Sequence, residues 1–324
     1  MPTLLTPLGK TLELGLGTEA TFGVKPAGPL VSTPVYTSQL DSQKPMENDP
    51  ILGGGQNNSR DATPPAPGLV TAGGQIVAPL DVNHIGHWLH LFFGAAAASG
   101  SGVVTHVFTS GKAQLPSKTI QQKLAGRLLQ TYGVVGRTMR FELGQAAGFR
   151  RVTMDLGAKD DMPFTGGDIA TNEITRAAAL ADARVPATRG ELLVGGVVVA
   201  TLLSFDGTYD TALAEERYVD NTDTISGYAP GDQEASWRGS MTLRWNDATY
   251  DTLARGETDQ AMTVRYVRGA NQSLSLSGLM RLERAGLPIS GPGKLQQQVT
   301  FRGMQGPSAP MLTATLVNAI ASYA

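Results

Sequence analysis

A short pattern of strand, polar cap and helix occurs twice in this chain. Residues 74–94 read GQIVAPLDVNHIGHWLHLFFG and residues 239–256 read GSMTLRWNDATYDTLARG, and each helix ends at a glycine. A long polar stretch precedes each copy, and β-rich sequence follows it. The copies lie about half a chain apart, whereas the repeats of a solenoid recur every ~20–50 residues. The pattern therefore predicts a duplicated domain.

The chain divides around a segment rich in glycine, alanine and polar residues. Its 324 residues leave room for about two domains. We expect the first β domain over residues 1–165, a linker over 166–190 and the second β domain over 191–324. Alternating apolar residues predict short strands in both halves, with one helix in each. The sequence thus indicates a mainly β fold.

Each helix should pack one apolar face on a sheet. Apolar residues of the first helix, over residues 82–93, recur at the spacing of a single helical stripe. That stripe consists of Val82, Ile85, Leu89 and Phe92. In the second helix, over residues 248–255, Leu253 takes the place of Leu89. We expect Leu89 and Leu253 to be equivalent buried anchors of the two helices.

Three local choices stay open from the residues alone. Either Asp81 or Asn83 can cap the first helix. Residues Lys118–Leu124 suit a strand, while the overlapping Gln121–Gln130 suits a short helix. The apolar run Leu192–Phe205 suits either one long strand or a hairpin around Gly195 and Gly196.

Two long polar stretches precede the two strand–helix copies. Residues 41–73 are rich in Asn, Gly and Pro, and residues 206–238 are rich in Asp and Glu. We interpret both as loops of about thirty residues, far longer than the usual ~4–6. Neither has enough apolar content to order itself. We expect both loops to be flexible in the isolated protein and ordered by neighbouring subunits or rings.

Composition excludes several classes of function. The chain has no cysteine, which removes disulfides, thiolate catalysis and cysteine-ligated metals. Its net charge of −2 gives no basic footprint for a nucleic-acid backbone. The N-terminus lacks the apolar run and charge order of a signal peptide, and no stretch approaches the ~18 apolar residues of a membrane span. Only 17% of residues are charged, which suits either a surface buried against partners or a plain Gly- and Ala-rich β protein.

No catalytic, cofactor or metal motif emerges. His84, His87 and His90 follow one another by three residues, so they walk around the helix and do not converge on one ion. We interpret them as a polar helix face or an inter-subunit contact. The Gly-Lys pairs at Gly9 and Gly293 lack the earlier glycine that a phosphate loop needs. We therefore expect no enzyme and no cofactor.

The second polar stretch carries a marked excess of acidic residues. A solvated loop is the plainer interpretation. The sharper one is a surface that repels a polyanion, so that nucleic acid passes without sticking. Its candidate residues are Asp220, Asp223, Asp232 and Glu234.

The two halves together resemble the tail tube, or major tail, proteins of long-tailed, non-contractile bacteriophages. The resemblance covers most of the chain. It is carried by Gly74–Gly94, Leu115–Ile120, Leu192–Phe205, Gly239–Gly256 and the C-terminal runs 282–304 and 313–323. It implies two related β-sandwich or half-barrel tube domains, each with one flanking α-helix. It also implies rings whose inner strands form a continuous barrel.

The family implies self-assembly and a place in the virion tail. Rings stack through long loops into a tube, and DNA passes down the bore without specific binding. Two domains per chain imply a trimeric ring with pseudo-sixfold symmetry, assembled in the host cytoplasm without a membrane. Further expected partners are tape measure, tail terminator and tail-tip proteins. The alternative is a β-rich tail-tip or adhesin-like binding module that forms no tube.

Overall fold

The computed structural model describes residues 8–49, 51, 61–284, 286–287, 289 and 291–323. Strands hold 49% of the chain and helices 8%, and every pair of named strands runs antiparallel. The mainly β fold of sandwich type that we predicted is confirmed.

The first half carries thirteen strands in its described residues. After a 3-10 turn at Gly9–Thr11 come β1 (Glu13–Thr18), β2 (Val31–Ser32), β3 (Thr37–Ser38), β4 (Asp41–Gln43), β5 (Met46–Glu47), β6 (Ala66–Pro67), β7 (Thr71–Pro79), α1 (Ile85–Phe93), β8 (Ala97–Ser99), β9 (Val104–Thr109), β10 (Lys118–Leu124), β11 (Arg127–Gly144), β12 (Arg151–Ala158) and β13 (Asp160–Thr165).

The remaining elements begin with a one-turn helix. In chain order they are α2 (Asp168–Asn172), β14 (Glu191–Val194), β15 (Val197–Val198), β16 (Leu202–Asp210), β17 (Leu213–Glu216), β18 (Gly227–Pro230), β19 (Ser236–Arg244), α3 (Thr249–Arg255), β20 (Gln260–Gly269), β21 (Gln272–Leu282), β22 (Gln296–Met304) and β23 (Thr313–Asn318).

The two halves repeat the same order of elements and the same pairings. Strand β7, helix α1 and strands β10 to β13 correspond to β19, α3 and β20 to β23. In each set the first strand pairs with the fourth, as β7 pairs with β12 and β19 pairs with β22. The hairpin β10–β11 corresponds to β20–β21. The repeated pattern thus extends from the strand–helix copy to these six elements, while β8 and β9 of the first half have no counterpart between α3 and β20.

One sheet runs through both halves. We call β4, β7, β12 and the C-terminal part of β11 unit 1, and β16, β19, β22 and the C-terminal part of β21 unit 2. Strand β11 joins the units because residues 138–144 pair with residues 210–204 of β16. The order across the sheet is thus β4, β7, β12, β11, β16, β19, β22, β21. Since the units share this sheet, the domain boundaries at 165 and 191 remain a prediction.

The core lies on one face of this sheet. Alternate residues of each strand point inward, as strand geometry requires, for example Met139, Phe141 and Leu143 of β11. The rings of Phe205 and Phe301 stack with centroids 5.5 Å apart. Buried apolar side chains from both halves form a single cluster. The halves therefore share a core as well as a sheet.

A carboxylate holds the turn that leads into helix α1. Asp81 accepts hydrogen bonds from the backbone N–H of Asn83 (2.8 Å) and His84 (3.2 Å) through Oδ1. Its Oδ2 accepts a third bond from the N–H of Ala183 (2.7 Å). Neither Asp81 nor Asn83 is the N-cap, which is His84 and makes no side-chain cap bond; Asp81 instead fixes the turn before it. The third bond also fixes the predicted linker to the first half, where Ala183 and Val185 are buried.

The two long polar stretches contain regular structure, so our interpretation of them as plain loops was wrong. Strands β4 and β7 extend into residues 41–73, and strands β16 and β19 extend into 206–238. Between these strands lie two arms, arm 1 over the described residues 44–49, 51 and 61–70 with β5–β6 and arm 2 over residues 211–235 with β17–β18. Residues 50 and 52–60 of the first stretch lie outside the described residues.

The two open choices between elements are also decided. Residues 118–124 form strand β10, because Ile120 is buried and the segment pairs with both β1 and β11. The run from Leu192 to Phe205 is a hairpin followed by a new strand, since Gly195 and Gly196 adopt the positive φ angles of a tight turn. In the described part of the chain, no helix is long and apolar enough to span a membrane.

Candidate assembly interface

The face of the sheet opposite the core is polar and carries a small excess of cations. On the six strands from β7 to β22 it carries the arginines 140, 151, 238, 244 and 302 and the acidic residues Glu142, Asp155, Asp206 and Asp210. Arg137, in a β-bulge of β11, is exposed and lies close enough to Asp155 to act on the pKa of that carboxyl, so six cations face four anions. Lysine is absent from these strands.

We call the pairing of β11 with β16 the joint between the units. An ion pair connects these two strands on the polar face. Arg140 of β11 binds Asp206 of β16 and also Glu142, whose Oε1 lies 3.0 Å from Nη2. The hydrogen bond to Asp206 raises the pKa of Arg140 above its usual value. All three side chains are at least one-third exposed, so the pair contributes little to stability. Its effect is to neutralise charge along the joint.

One end of the sheet presents an edge whose polar groups face outward. Strand β4 pairs with β7 and, among the described residues, with no other strand. The N–H of Gln39 donates to the carbonyl of Gln75 (2.9 Å), whereas the N–H of Ser42 donates to its neighbour Asp41 (3.0 Å). Backbone groups alternate between the two sides of a strand. Ser42 therefore directs its N–H away from β7, towards the free edge.

The opposite end is free at the C-terminal part of β21. Its last pair with β20 is Met280 with Gln260, while Leu282 still pairs with Phe301 of β22 and the N–H of Glu283 donates to the carbonyl of Thr300 (2.9 Å). From residue 281 onward the other side of β21 has no strand within the described residues. Long unpaired edges invite further strands unless something covers them.

Arm 2 lies across the strand ends of unit 1. At its base, Thr211 donates from N to the carbonyl of Arg137 (2.9 Å) and from Oγ1 to that of Gly136 (2.7 Å). Farther along, the ring of Tyr228 meets that of Phe22 edge-on, 6.1 Å between centroids. The arm thus crosses from β11 towards β12.

The tip of arm 2 binds the base of arm 1. Asp223 forms an ion pair with Lys44 and accepts the N–H of Val70 at its carbonyl (2.9 Å). Arg217 donates to the carbonyl of Val70 (2.8 Å). Arm 2 therefore spans the end of unit 1 and is held there by contacts within its own chain; its ordering by a neighbouring subunit or ring stays a prediction.

The four acidic residues that we proposed for a surface that repels nucleic acid all lie on arm 2. None of them lies on the six strands of the polar face. Asp220 binds within the tip, where the hydroxyl and N–H of Thr222 donate to its Oδ1 and lower its pKa. The hydrogen bond from Lys44 lowers the pKa of Asp223. Asp232 and Glu234 lie between β18 and β19. The structure thus gathers the four at the end of the sheet.

The two helix anchors differ in burial. Leu89 is 0% exposed, in a helix whose nine residues are all buried. Leu253 packs against the same core but is only partly buried, and Ala254 is the one buried residue of α3. The equivalence of the two leucines therefore stays a prediction for the assembled protein.

The three histidines of α1 lie in the interior, so our interpretation as a polar face or inter-subunit contact does not fit. His87 meets the ring of Tyr323 edge-on at 4.8 Å. Burial first, then the nearby charge of Lys118, lowers the pKa of His87 to about 3 and that of His90 to about 4. The imidazole rings of His87 and His90 are therefore neutral.

Among the described residues, no group of three His, Cys, Asp or Glu side chains is placed to hold a metal.

Sequence reasoning missed the free edges and the joint between β11 and β16. The sequence signal that could have indicated the repeated arms was the matched position of the two polar stretches, each just before a strand–helix copy.

The family model described as phage tail tube protein matches residues 9–303, nearly the whole chain. No curated protein matches the chain.

Proposed function

Because the chain belongs to the phage tail tube protein family, we propose that three copies close into a ring and that rings stack into the tube of a long, non-contractile tail. In each ring, the free part of β21 in one copy pairs with β4 of the next. The structural role in the tail tube follows from the family; the trimer, the stacking and the edge pairing are our proposal.

The observation that carries the proposal is the joint between β11 and β16. It connects two units with equivalent strands, so the chain already contains one joint of a closed barrel. Applying the same joint between copies places β21 of unit 2 beside β4 of unit 1. A head-to-tail contact that repeats by a fixed rotation closes into a ring. Three copies supply six units and leave no free edge.

We propose that the polar face of the shared sheet lines the bore. Acidic residues share this face with the arginines, and Arg140 and Arg302 are paired with carboxylates, so a DNA backbone finds fewer free cations there. Binding through phosphate contacts would release counterions and hold the DNA. A wall of mixed charge with paired arginines instead lets the duplex move. We place Asp220, Asp223, Asp232 and Glu234 at the ring end, where they repel DNA at the mouth of each ring or meet the next ring.

The proposal also implies which partners the protein contacts and where it assembles. The main partner is a second copy, within the ring and between rings. Tape measure, tail terminator and tail-tip proteins would contact the two ends of the tube, and DNA would pass through to the host. The protein would assemble in the host cytoplasm and remain in the virion tail.

Proline at Ser42 tests the edge pairing. Ser42→Pro removes the outward N–H, while β4 keeps its pairing with β7 because that N–H serves only the neighbouring Asp41. Ser42→Ala is the matched control, since it also loses the hydroxyl bond to Asp160 but keeps the N–H. We expect Ser42→Pro to stay monomeric and folded, and Ser42→Ala to form rings and tubes.

The readouts are light scattering for ring mass and negative-stain microscopy for rings and tubes. Six copies per ring, or a wild-type protein that stays monomeric and forms no tube, would refute the proposal; the second result would favour a binding module. Normal tube assembly by Ser42→Pro would show that β4 does not form the contact between copies.

A further inference from the structure

Strand β9 of the first half completes a sheet of the second half. After α1 the chain forms the hairpin β8–β9, and β9 then pairs with β23 along its whole length. The N–H of Ser110 donates to the carbonyl of Leu312 (2.9 Å), so the even-numbered residues of β23 direct their backbone groups towards β9. The two halves thus share a second pair of strands, in addition to β11 and β16.

Strand β13 is the counterpart of β23 in the first half. It pairs with the N-terminal part of β11, as β23 pairs with that of β21. Both of these long strands follow a two-residue turn, at 125–126 and at 270–271. Counting from these turns matches three residues of β13 with three of β23: Asp160 with Thr313, Met162 with Thr315 and Pro163 with Leu316.

Backbone alternation shows which residues of β13 point away from β11. The N–H of Glu19 donates to the carbonyl of Ser117 (3.0 Å), so the odd-numbered residues of β10 face β1 and the even-numbered ones face β11. Through the register, the odd-numbered residues of β11 then face β10 and the even-numbered ones face β13. Even-numbered residues of β13 are their partners. Residues 161, 163 and 165 therefore direct their backbone groups to the outer side of β13.

Two of these three residues offer no free N–H to a further strand. The N–H of Asp161 donates to Oδ1 of Asp160 (2.8 Å), which also accepts the hydroxyl of Ser42 (2.7 Å). Pro163 has no N–H, and its outward position is the one that a sheet tolerates for proline. At the matching place in the second half, Leu316 pairs with His106 of β9. Among the described residues, β11 is the only strand that pairs with β13.

The second half supplies no strand for the outer side of β13. Only residues 256–259 lie between α3 and β20, where the first half has the hairpin β8–β9. The ring proposed above closes the shared sheet, and β13 lies outside that sheet. A free edge with the register of β23 invites the strand that β23 binds, which is β9. Pairing of β9 with β13 of a second copy would set two first halves side by side.

We propose that Pro163 and Asp160 close the outer side of β13 against strand β9 of a second copy, and that β9 therefore pairs with β23 of its own chain. The closed edge is a property of the single chain. The inference rests on the proposed ring only for one consequence, that first and second halves alternate around the circle. Rejection of the wrong partner then sets this order.

An opened edge tests the proposal. Asp160→Thr together with Pro163→Leu introduces the residue types that β23 carries at the matching positions, and restores the outward N–H at position 163. Engineered cysteines report the pairing, because the chain has none of its own. Val107→Cys with Met162→Cys reports β9 on β13. The matched control, Val107→Cys with Thr315→Cys, reports β9 on β23, where these two residues are directly opposite.

Both cysteine pairs are made with the native and with the opened edge. The proteins are refolded from urea at low and high concentration, oxidised, and run on a non-reducing gel. At high concentration we expect the 107/162 pair to give at least about tenfold more dimer with the opened edge, because backbone hydrogen bonds to β9 are regained. The control pair should lose its free thiols within the monomer in both backgrounds.

Equal dimer yield with native and opened edges would overturn the closed edge. If the control pair does not oxidise in the double variant, the fold is lost, and Pro163→Leu alone takes its place because it removes no side-chain hydrogen bond. Rings seen by microscopy together with equal dimer yields would refute the closed edge and leave the ring intact. Absence of rings would refute the ring, while the refolding yields still decide the closed edge.

Light scattering of refolded protein without cysteines gives an independent measure. Pro163→Leu should form dimers at concentrations where the wild type is monomeric. Met162→Thr changes the neighbouring side chain on the same strand, but the N–H of residue 162 faces β11, so this variant should stay monomeric. Equal masses for the two variants would show that the outward N–H does not control the pairing.

Discussion

Truncation of the two helix leucines should affect the unassembled protein unequally. Leu89→Ala removes a side chain with no exposed surface from a helix that is buried on all sides, so both the transfer and the cavity contributions apply in full. Such changes cost about 2–5 kcal/mol of unfolding free energy. Leu253 is only partly buried, on a helix that otherwise buries Ala254 alone. We expect about 1 kcal/mol for Leu253→Ala.

Urea unfolding of the monomer measures both values. Trp88 lies beside Leu89 in α1 and is buried, so its fluorescence reports on this helix, and far-ultraviolet circular dichroism reports on the sheet. The slope against urea should stay unchanged, which shows that the same surface is exposed on unfolding. A cost for Leu253→Ala equal to that for Leu89→Ala in monomer would contradict the burial argument. In assembled tubes, where we predict both anchors to be buried, the two costs should converge.

Three further predictions concern Asp81, the histidines and arm 2. Asp81→Ala should cost about 3 kcal/mol or more in urea unfolding, because three backbone N–H groups lose their acceptor; a cost below about 1 kcal/mol would show that water replaces it. His87 is neutral when folded but titrates near 6.5 when unfolded, so the unfolded state binds more protons and stability should fall from pH 6.5 towards about 3. His87→Phe should flatten part of that loss between pH 7 and 5, and an unchanged pH profile would exclude His87 as a cause. Asp223→Lys places a cation beside Lys44 and should speed amide exchange at the tip of arm 2, whereas Asp232→Lys, with the same change in charge, should not; equal exchange in both would mean that the ion pair does not hold the arm.

The duplicated strand–helix pattern could be predicted because its signals are local. The helices appear in the spacing of Val82, Ile85 and Leu89, and the strands appear in alternation such as that of Met262, Val264 and Tyr266. These periods follow from the geometry of a single helix or strand. The same reasoning left Lys118–Leu124 undecided, because strand and helix patterns overlap there, and the structure has the strand.

The burial of the histidines and the position of arm 2 could not be predicted from local patterns. His87 is polar by residue type, and only the packing of Tyr323 and Lys118 around it makes it an interior, neutral group. Likewise, nothing near residue 223 indicates that its carboxylate meets Lys44, about half a chain away.

By itself, the sequence determined that a strand–helix pattern occurs twice and that the fold is mainly β, because helix and strand periods are written within a few neighbouring residues. Only the tertiary structure decided that the two polar stretches carry strands, that β11 pairs with β16, and that β4 and β21 are left as edges. The physical reason is that backbone N–H and C=O groups are the same in every residue. Which strands share them depends on which edges meet after the chain has folded.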